Sequence, residues 1–380
     1  MVYDRYYKML ANPNCNDALS ENDITFFANH NLSFYVSSHC NIENLNKKDL
    51  LIQKLKFKKI IADLIEVTSA LTREGIDYRV VKGIGIAMTY PDPYVRYMGD
   101  HDILVKPEDH ERAIAVLREL GYNRLDGRKA DVDTPLYRAN SLKIELHYAL
   151  FNKSEAYADE IMDMVWKKPI DLNFDKGVIR MPDSELHFRY MVIHIIKHFK
   201  YQGFGIRHLL DLIYFSKSEV VDIRSSAIYF DKIGYGVFYR AIIALCVYKL
   251  NMDINDDSWL PKKNEPYLET LSEFIAENGV FGFASKNSKV NHKYEILSGK
   301  NDWSRMSSLK QAFFPSIDLL SDAYGYAKKN KILLPVAWIQ RFIRLAFRKD
   351  LLMKEKFFIF TKDSDAINKR EGLMRILDLK

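Results

Sequence analysis

The spacing of apolar residues changes along this chain, and each change predicts a different element. Up to about residue 74 the apolar positions recur at helical spacing, as in LLIQKLKFKKIIADLIEVTSALTREG, with a polar, amide-rich interruption at HCNIENLNKKD (39–49). Gly75 follows the last periodic position, where a helix often ends on a left-handed residue. The period then shortens. YRVVKG (78–83) is β-branched and closes on glycine, which predicts a strand; GIAMTY predicts a short helical piece stopped by PDP (91–93), and HDILV a second strand. PEDHERAIAVLRELGY (107–122) has proline in its first turn, acids early and Gly121 near its end, the start and stop signals of a helix. PLYRAN and SLKIELHYAL alternate as the arms of a hairpin joined near Asn140-Ser141. Residues 75–151 therefore read as a small mixed unit of order β-α-β-α-β-β.

Beyond about residue 155 the helical period returns in YADEIMDMVW, SELHFRYMVIHIIKHF, IRHLLDLIYFSK and YGVFYRAIIALCVYKL, with Pro182-Asp183-Ser184 before Glu185 as a helix start. A polar stretch at 277–302 precedes WIQRFIRLAFRKDLLMKEKFF, which is basic and amphipathic and suits a packed terminal helix, a partner helix or an anionic lipid surface. The expected fold class is α+β: a small mixed sheet with helices, embedded in mostly helical N- and C-terminal regions. The expected parts are a helical region over 1–74, an α/β core over 75–151, a helical domain over 152–276 and a C-terminal helical region over 277–380.

Composition narrows the function classes. Hydrophobic residues at 48% and charged residues at 28% suit a globular chain in water. A net charge of +6 is compatible with anionic ligands such as nucleotides and too weak to argue for DNA or RNA as partner. Cys15, Cys40 and Cys246 are odd in number and far apart, which fits neither a disulfide framework nor a CxxC zinc site and points to a reducing cytoplasm. The N-terminus lacks an apolar core before a small-residue cleavage site. The most apolar run, ILLPVAWIQRFIRLAF (332–347), is broken by Pro335 and two arginines, so no transmembrane segment is expected.

The chemistry concentrates in RYMGDHDILV (96–105). On a strand Asp100 and Asp102 share a face and His101 points the other way. Two adjacent carboxylates repel and raise each other's pKa unless a cation joins them, and Mg²⁺ characteristically takes one or two carboxylates together with substrate phosphate oxygens. Glu145 in KIELHYAL, an acid within an alternating apolar stretch, is the candidate third ligand. Lys82-Gly83 ends a strand and opens a helix, where backbone N–H groups can approach a phosphate. A D-x-D pair by itself also marks solvated strand ends; the combination is the stronger signal. It describes metal-assisted phosphoryl transfer.

VVKGIGIAMTYPDPYVRYMGDHDILV resembles the signature of the bacterial uncharacterised nucleotidyltransferase family of the polymerase-β superfamily: lysine-glycine, a short helix, Y-P-D-P, an arginine, then G-D-x-D before apolar residues. The likeness continues through Glu145-Leu146-His147 and the H-x-x-x-H…R-x-L-x-D stretch of His194, His198, Arg207 and Asp211, over roughly residues 1–215. It implies a polymerase-β-type nucleotidyltransferase core, with Asp100, Asp102 and Glu145 as catalytic metal ligands for Mg²⁺ or Mn²⁺ and Lys82 and Gly83 near the triphosphate of an NTP. The implied reaction moves an NMP to an unidentified acceptor (a small molecule, a glycan precursor or a protein) and releases pyrophosphate. Transfer of a phospho-alcohol from a CDP-linked donor to a glycan, or nucleotide or partner binding without turnover, are the alternatives. Two departures stand out. Gly83 is followed by Ile84 where the superfamily usually has serine or glycine, the next glycine being Gly85, and His101 replaces an apolar residue.

Other residues carry two readings each. Arg96 suits a bidentate phosphate clamp, or a structural pair with Asp92 or Asp100. His194 and His198, one helical turn apart, suit a cleft wall that meets nucleotide or acceptor, or a packed pair; they have metal-ligand spacing, but without an H-E-x-x-H pattern zinc is not expected, although His208 could reach them. Asp211 on an apolar helix needs a partner, and Arg207 one turn back is the nearest. His147 shares the face of Glu145 and suits proton transfer, contact with the nucleotide, or orientation of a carboxylate. His101 is expected to hydrogen-bond a carbonyl in the core.

Overall fold

The computed structural model describes residues 3–12, 19–39, 47–124, 132–151, 155, 157–201, 203–279, 326, 333–346 and 364–379. Helices α1 (Asp4–Ala11), α2 (Glu21–Asn29) and α3 (Ser33–His39) lead to the long α4 (Lys47–Arg73). The polar interruption expected at 39–49 is narrower than its composition suggests, because His39 ends one helix and Lys47 begins the next; residues 40–46 lie outside the described residues. At the end of α4, Gly75 has φ 68° and its N–H donates to Thr72 O at 3.0 Å, while the Ile76 N–H donates to Leu71 O at 2.9 Å. That pair of bonds satisfies the last carbonyls and turns the chain into the sheet.

Strand β1 (Tyr78–Val81), helix α5 (Gly83–Ala87), strand β2 (Asp100–Val105), helix α6 (His110–Glu119) and strands β3 (Asn123–Arg124), β4 (Asp133–Tyr137) and β5 (Lys143–His147) form one five-stranded sheet in the order β1-β2-β5-β4-β3. β2 and β5 run parallel; the other neighbours are antiparallel. The sequence pattern missed β3, whose two exposed residues are too few to show alternation.

Alternation along β2 places the site. Ile103 and Val105 belong to a core shared with Leu64 and Leu71 of α4 and Ala113 and Leu117 of α6. Leu104 points oppositely, into a second core built by helices α8 (Ser184–Tyr201), α9 (Arg207–Ser218) and α11 (Gly236–Leu250). Asp100 and Asp102 lie on the Leu104 side, so the acids emerge where the sheet meets the helical layer.

That layer also contains α7 (Ala158–Met164), α10 (Ile223–Lys232), α12 (Pro266–Asn278) and α14 (Ser364–Ile376), and a further helix, α13 (Leu334–Ala346), precedes α14 in the chain. The mostly helical reading beyond residue 155 omitted one hairpin, β6 (Ile170–Phe174) and β7 (Gly177–Met181). It lies along β1 and α4: the Tyr78 hydroxyl donates to Val178 O at 3.1 Å, and a side chain at Gly177 would strike Ile65. Asp183 Oδ1 accepts from the Leu186 N–H at 3.0 Å and caps α8, as the Pro182-Asp183-Ser184 start predicted. Of the basic C-terminal stretch, residues 347–358 lie outside the described residues, as do Cys15, Cys40 and 280–302. Cys246 is a buried free thiol. No described helix is long and apolar enough to cross a membrane.

Candidate active site

The parallel pairing of β2 with β5 sets Asp100 beside Lys143, Asp102 beside Glu145 and Leu104 beside His147. Five polar side chains thus share one face of two adjacent strands. Lys143 Nζ lies 3.3 Å from Asp100 Oδ2 and 2.5 Å from Glu145 Oε1, bridging two acids that would otherwise repel. Asp102 has Lys82 Nζ at 3.0 Å on Oδ2 and His147 Nε2 at 3.0 Å on Oδ1. Burial pushes the Asp102 carboxyl up, but Lys82 and His147 outweigh it and hold the pKa well below the usual carboxylate range. Burial and the neighbouring Asp102 charge instead raise Asp100. The same face therefore carries one carboxylate locked in the anionic form and one better able to take a proton. His147 has the orienting contact that one of its readings predicted.

Lys82 precedes α5 in an unusual conformation, with φ 57° and ψ −131°, followed by Gly83 at φ 39°. A non-glycine residue there costs about 1–3 kcal/mol and persists only where its surroundings fix it. They do: the Lys82 N–H donates to His187 Nε2 at 2.8 Å, and His187 is fully buried. The turn aims the Lys82 ammonium at Asp102. Burial pulls the ammonium pKa down, Asp102 pushes it up more, and the group stays charged. The departure at Ile84 also gains a reason. Ile84 is fully buried against the α4 side, where a serine hydroxyl would lack water, and a Cβ on Gly85 would sit 2.4 Å from Met181 Sδ.

Arg96 is corrected on its structural reading. It pairs with neither Asp92 nor Asp100: Nε and one terminal nitrogen donate to Asp211 Oδ1 and Oδ2 at 2.7 and 2.9 Å, and the other donates to Gly83 O at 3.1 Å. The fork thereby ties α9 to the Lys82-Gly83 turn. Asp211 correspondingly takes Arg96 rather than Arg207, and the Tyr90 hydroxyl as well at 2.7 Å. Burial raises Asp211, but Arg96 and Arg207 lower it to about 2. Arg207 reaches the Tyr97 carbonyl at 3.0 Å. His101 differs too. It is buried with neither ring nitrogen hydrogen-bonded among the described residues, on a face of the sheet whose immediate neighbours Ile103 and Ile144 are apolar. Burial holds its pKa at about 4.

His194 and His198 approach each other at 2.8 Å between Nε2 atoms, and His208 joins them: one ligand nitrogen from each ring lies within 4.8 Å of the others. A third histidine, which the sequence suggested could reach, therefore stands beside the pair.

Lys82, Gly83, Arg96, Asp100, Asp102, Glu145, His194 and His198 all line one cavity of about 360 Å³. His147 lines an adjoining cavity of about 160 Å³ that shares Lys82, Asp102 and Glu145. Arg96 lines this cavity with its guanidinium held by Asp211 and the Gly83 carbonyl. Lys143 and His187 are additions. Lys143 was legible, since it alternates with Glu145 in KIELH; His187 was not, because its role exists only through contact with Lys82.

A divalent ion fits the acidic face. Asp102, Glu145 and His147 each place one ligand atom within 4.8 Å of the other two, with Asp100 beside them, and two carboxylates on one sheet face suit Mg²⁺ or Mn²⁺.

A small mixed sheet presenting a lysine-glycine turn and three acids beneath a helical layer defines a nucleotidyltransferase-type protein. Residues 42–251 match the sequence model of an uncharacterised nucleotidyltransferase family, and the chain belongs to that family. Among solved structures, the crystal structure of an antigenic nucleotidyltransferase-like protein from Paracoccidioides brasiliensis is similar over 41% of this chain and 75% of that chain, with 15% identity and a TM-score of 0.30. Comparison with curated proteins finds no match.

Proposed function

We propose that this chain is a cytoplasmic nucleotidyltransferase, dependent on Mg²⁺ or Mn²⁺, that moves an NMP from an NTP to an acceptor hydroxyl or phosphate. The observation that carries the reading is the register pairing of Asp102 with Glu145, with Asp100 on the same face, in the wall of one cavity. Asp100, Asp102 and Glu145 would hold the ion, which when bound neutralises triphosphate charge and polarises the reacting phosphorus–oxygen bonds. The chain's own groups supply the rest. Lys82 and Gly83 receive the triphosphate, Lys82 as a permanently charged ammonium. Arg96 positions their turn. The cavity lining has four cations (Lys82, Arg96, Lys143, Arg207) and four carboxylates (Asp100, Asp102, Glu145, Asp211), so a metal–nucleotide complex meets walls whose own charges cancel. His147 orients Asp102, and His194 and His198 face the nucleotide or acceptor from the opposite wall.

In the transfer, an acceptor oxygen bonds to the α-phosphorus as the bond to the bridging oxygen breaks and pyrophosphate leaves. The acceptor proton leaves to water in the cavity, because the carboxylates that hold the ion are not free to take it. The test is incubation with each α-labelled NTP, Mg²⁺ or Mn²⁺ and a cell extract. Label should move to an acceptor with the wild-type chain and not with an Asp100→Ala/Asp102→Ala variant. Equal labelling by that variant overturns the reading.

A further inference from the structure

We propose that His194, His198 and His208 form a second, separate metal site for a borderline divalent cation, Zn²⁺ foremost, with one coordination position open to the cavity. The site stands apart from the carboxylates in position and in chemistry. Three imidazoles on the two helices α8 and α9 suit Zn²⁺ or Co²⁺ and are poor ligands for Mg²⁺, which prefers oxygen.

The geometry is close to what such an ion needs. Nitrogens held 2.0–2.1 Å from a tetrahedral Zn²⁺ stand about 3.4 Å apart. Here the Nε2 atoms of His194 and His198 are 2.8 Å apart, and no pair in the group exceeds 4.8 Å. Opening the first pair by about half an ångström and drawing His208 inward makes the site, within the range of ring rotation about χ angles. His208 is already oriented. Its Nδ1 lies 3.2 Å from the Gly205 carbonyl, which can only accept, so Nδ1 carries the proton and Nε2 keeps its lone pair. Ligating histidines are characteristically fixed by a carbonyl behind them in this manner. Between His194 and His198 one Nε2 must donate to the other; metal binding moves that proton to the second nitrogen of its ring.

Three protein ligands leave a fourth position, and all three histidines line the cavity that holds Asp102 and Glu145. An ion here binds water or an anionic oxygen of whatever enters. Arg207, Lys82 and Lys197 oppose a cation at this place more than Asp211 favours one, so the three nitrogens must supply the affinity. The inference does not rest on nucleotidyl transfer.

The test uses full-length, tag-free protein stripped with a chelator and titrated with Co²⁺. The account expects about one equivalent bound with the visible absorption of four- or five-coordinate Co²⁺, displaced by Zn²⁺ and untouched by Mg²⁺. His208→Asn and His198→Asn should weaken it at least about tenfold, whereas Glu145→Gln should retain it. His198 is the less buried position and gives the same readout should His208→Asn fail to fold. No absorption band, a band unchanged in a folded histidine variant, or a band lost only with Glu145→Gln overturns the site.

Discussion

Asp102 and Glu145 are register partners across the parallel pair β2 and β5, so both carboxylates leave the sheet on one face at one height. Their surroundings differ. Asp102 has a side chain 4% exposed and ion-paired to Lys82, whereas that of Glu145 is 26% exposed and held by Lys143. That difference separates a catalytic effect from a structural one.

Glu145→Gln keeps the shape, and the part-exposed Lys143 still has Asp100 at 3.3 Å. The variant should melt within a few degrees of wild type and lose nucleotidyl transfer on the order of 10²–10³-fold. Asp102→Asn should lose activity equally and also destabilise the fold by about 3–5 kcal/mol, because it strands the buried Lys82 charge. Thermal melts beside the transfer assay separate the two effects.

Arg96 and Asp211 form a buried, two-pronged pair 115 residues apart in sequence. Arg96→Ala leaves Asp211 charged and buried and should cost about 3–5 kcal/mol in denaturant unfolding. The Arg96→Ala/Asp211→Ala double variant should cost less than the sum of the singles. Simple additivity would show that the pair is not coupled.

His101 makes stability depend on pH. Its folded pKa is about 4 against 6.5 unfolded, so the unfolded chain binds a proton that the folded one refuses; the stabilisation present above pH 6.5 is lost as pH falls towards 4. His101→Leu should remove roughly 3 kcal/mol of that loss and stabilise the fold at neutral pH, since it takes away two buried ring nitrogens that lack hydrogen-bond partners. Asp211, at about 2 against an ordinary 3.8, extends the loss below pH 4 by roughly 2 kcal/mol as the pH falls towards 2. Unfolding free energies at a series of pH values read both windows, and an identical slope in His101→Leu between pH 6.5 and 4 refutes the first.

Gly85→Ala places a methyl group 2.4 Å from Met181 Sδ and 3.0 Å from His187, the residue that holds the Lys82 turn. It should cost about 1–3 kcal/mol, with part regained by trimming the neighbour in Gly85→Ala/Met181→Ala. The denaturation midpoints of the two variants check this.

The acids were legible because strand alternation is local: DHDILV and KIELH each state which side chains share a face, and β-branched residues fix the face that is buried. What sequence could not supply was register between β2 and β5, which decides that Asp102 rather than Asp100 meets Glu145. The Arg96–Asp211 pair was invisible for the same reason; spacing offers Arg207 one turn away, while the true partner arrives from a distant loop. That His208 could reach the pair was legible; that it does depends on how the chain reverses between α8 and α9. The β6-β7 hairpin did carry alternation, at Ile170, Leu172, Ile179 and Met181, but was overlooked between two strongly helical stretches.

Mn²⁺ binding measured by electron paramagnetic resonance, with an NTP present, tests most directly whether Asp102 and Glu145 hold one ion. The account predicts Mn²⁺ affinity at least about tenfold weaker in Glu145→Gln than in wild type and unchanged in His208→Asn. Equal affinity in wild type and Glu145→Gln would contradict it.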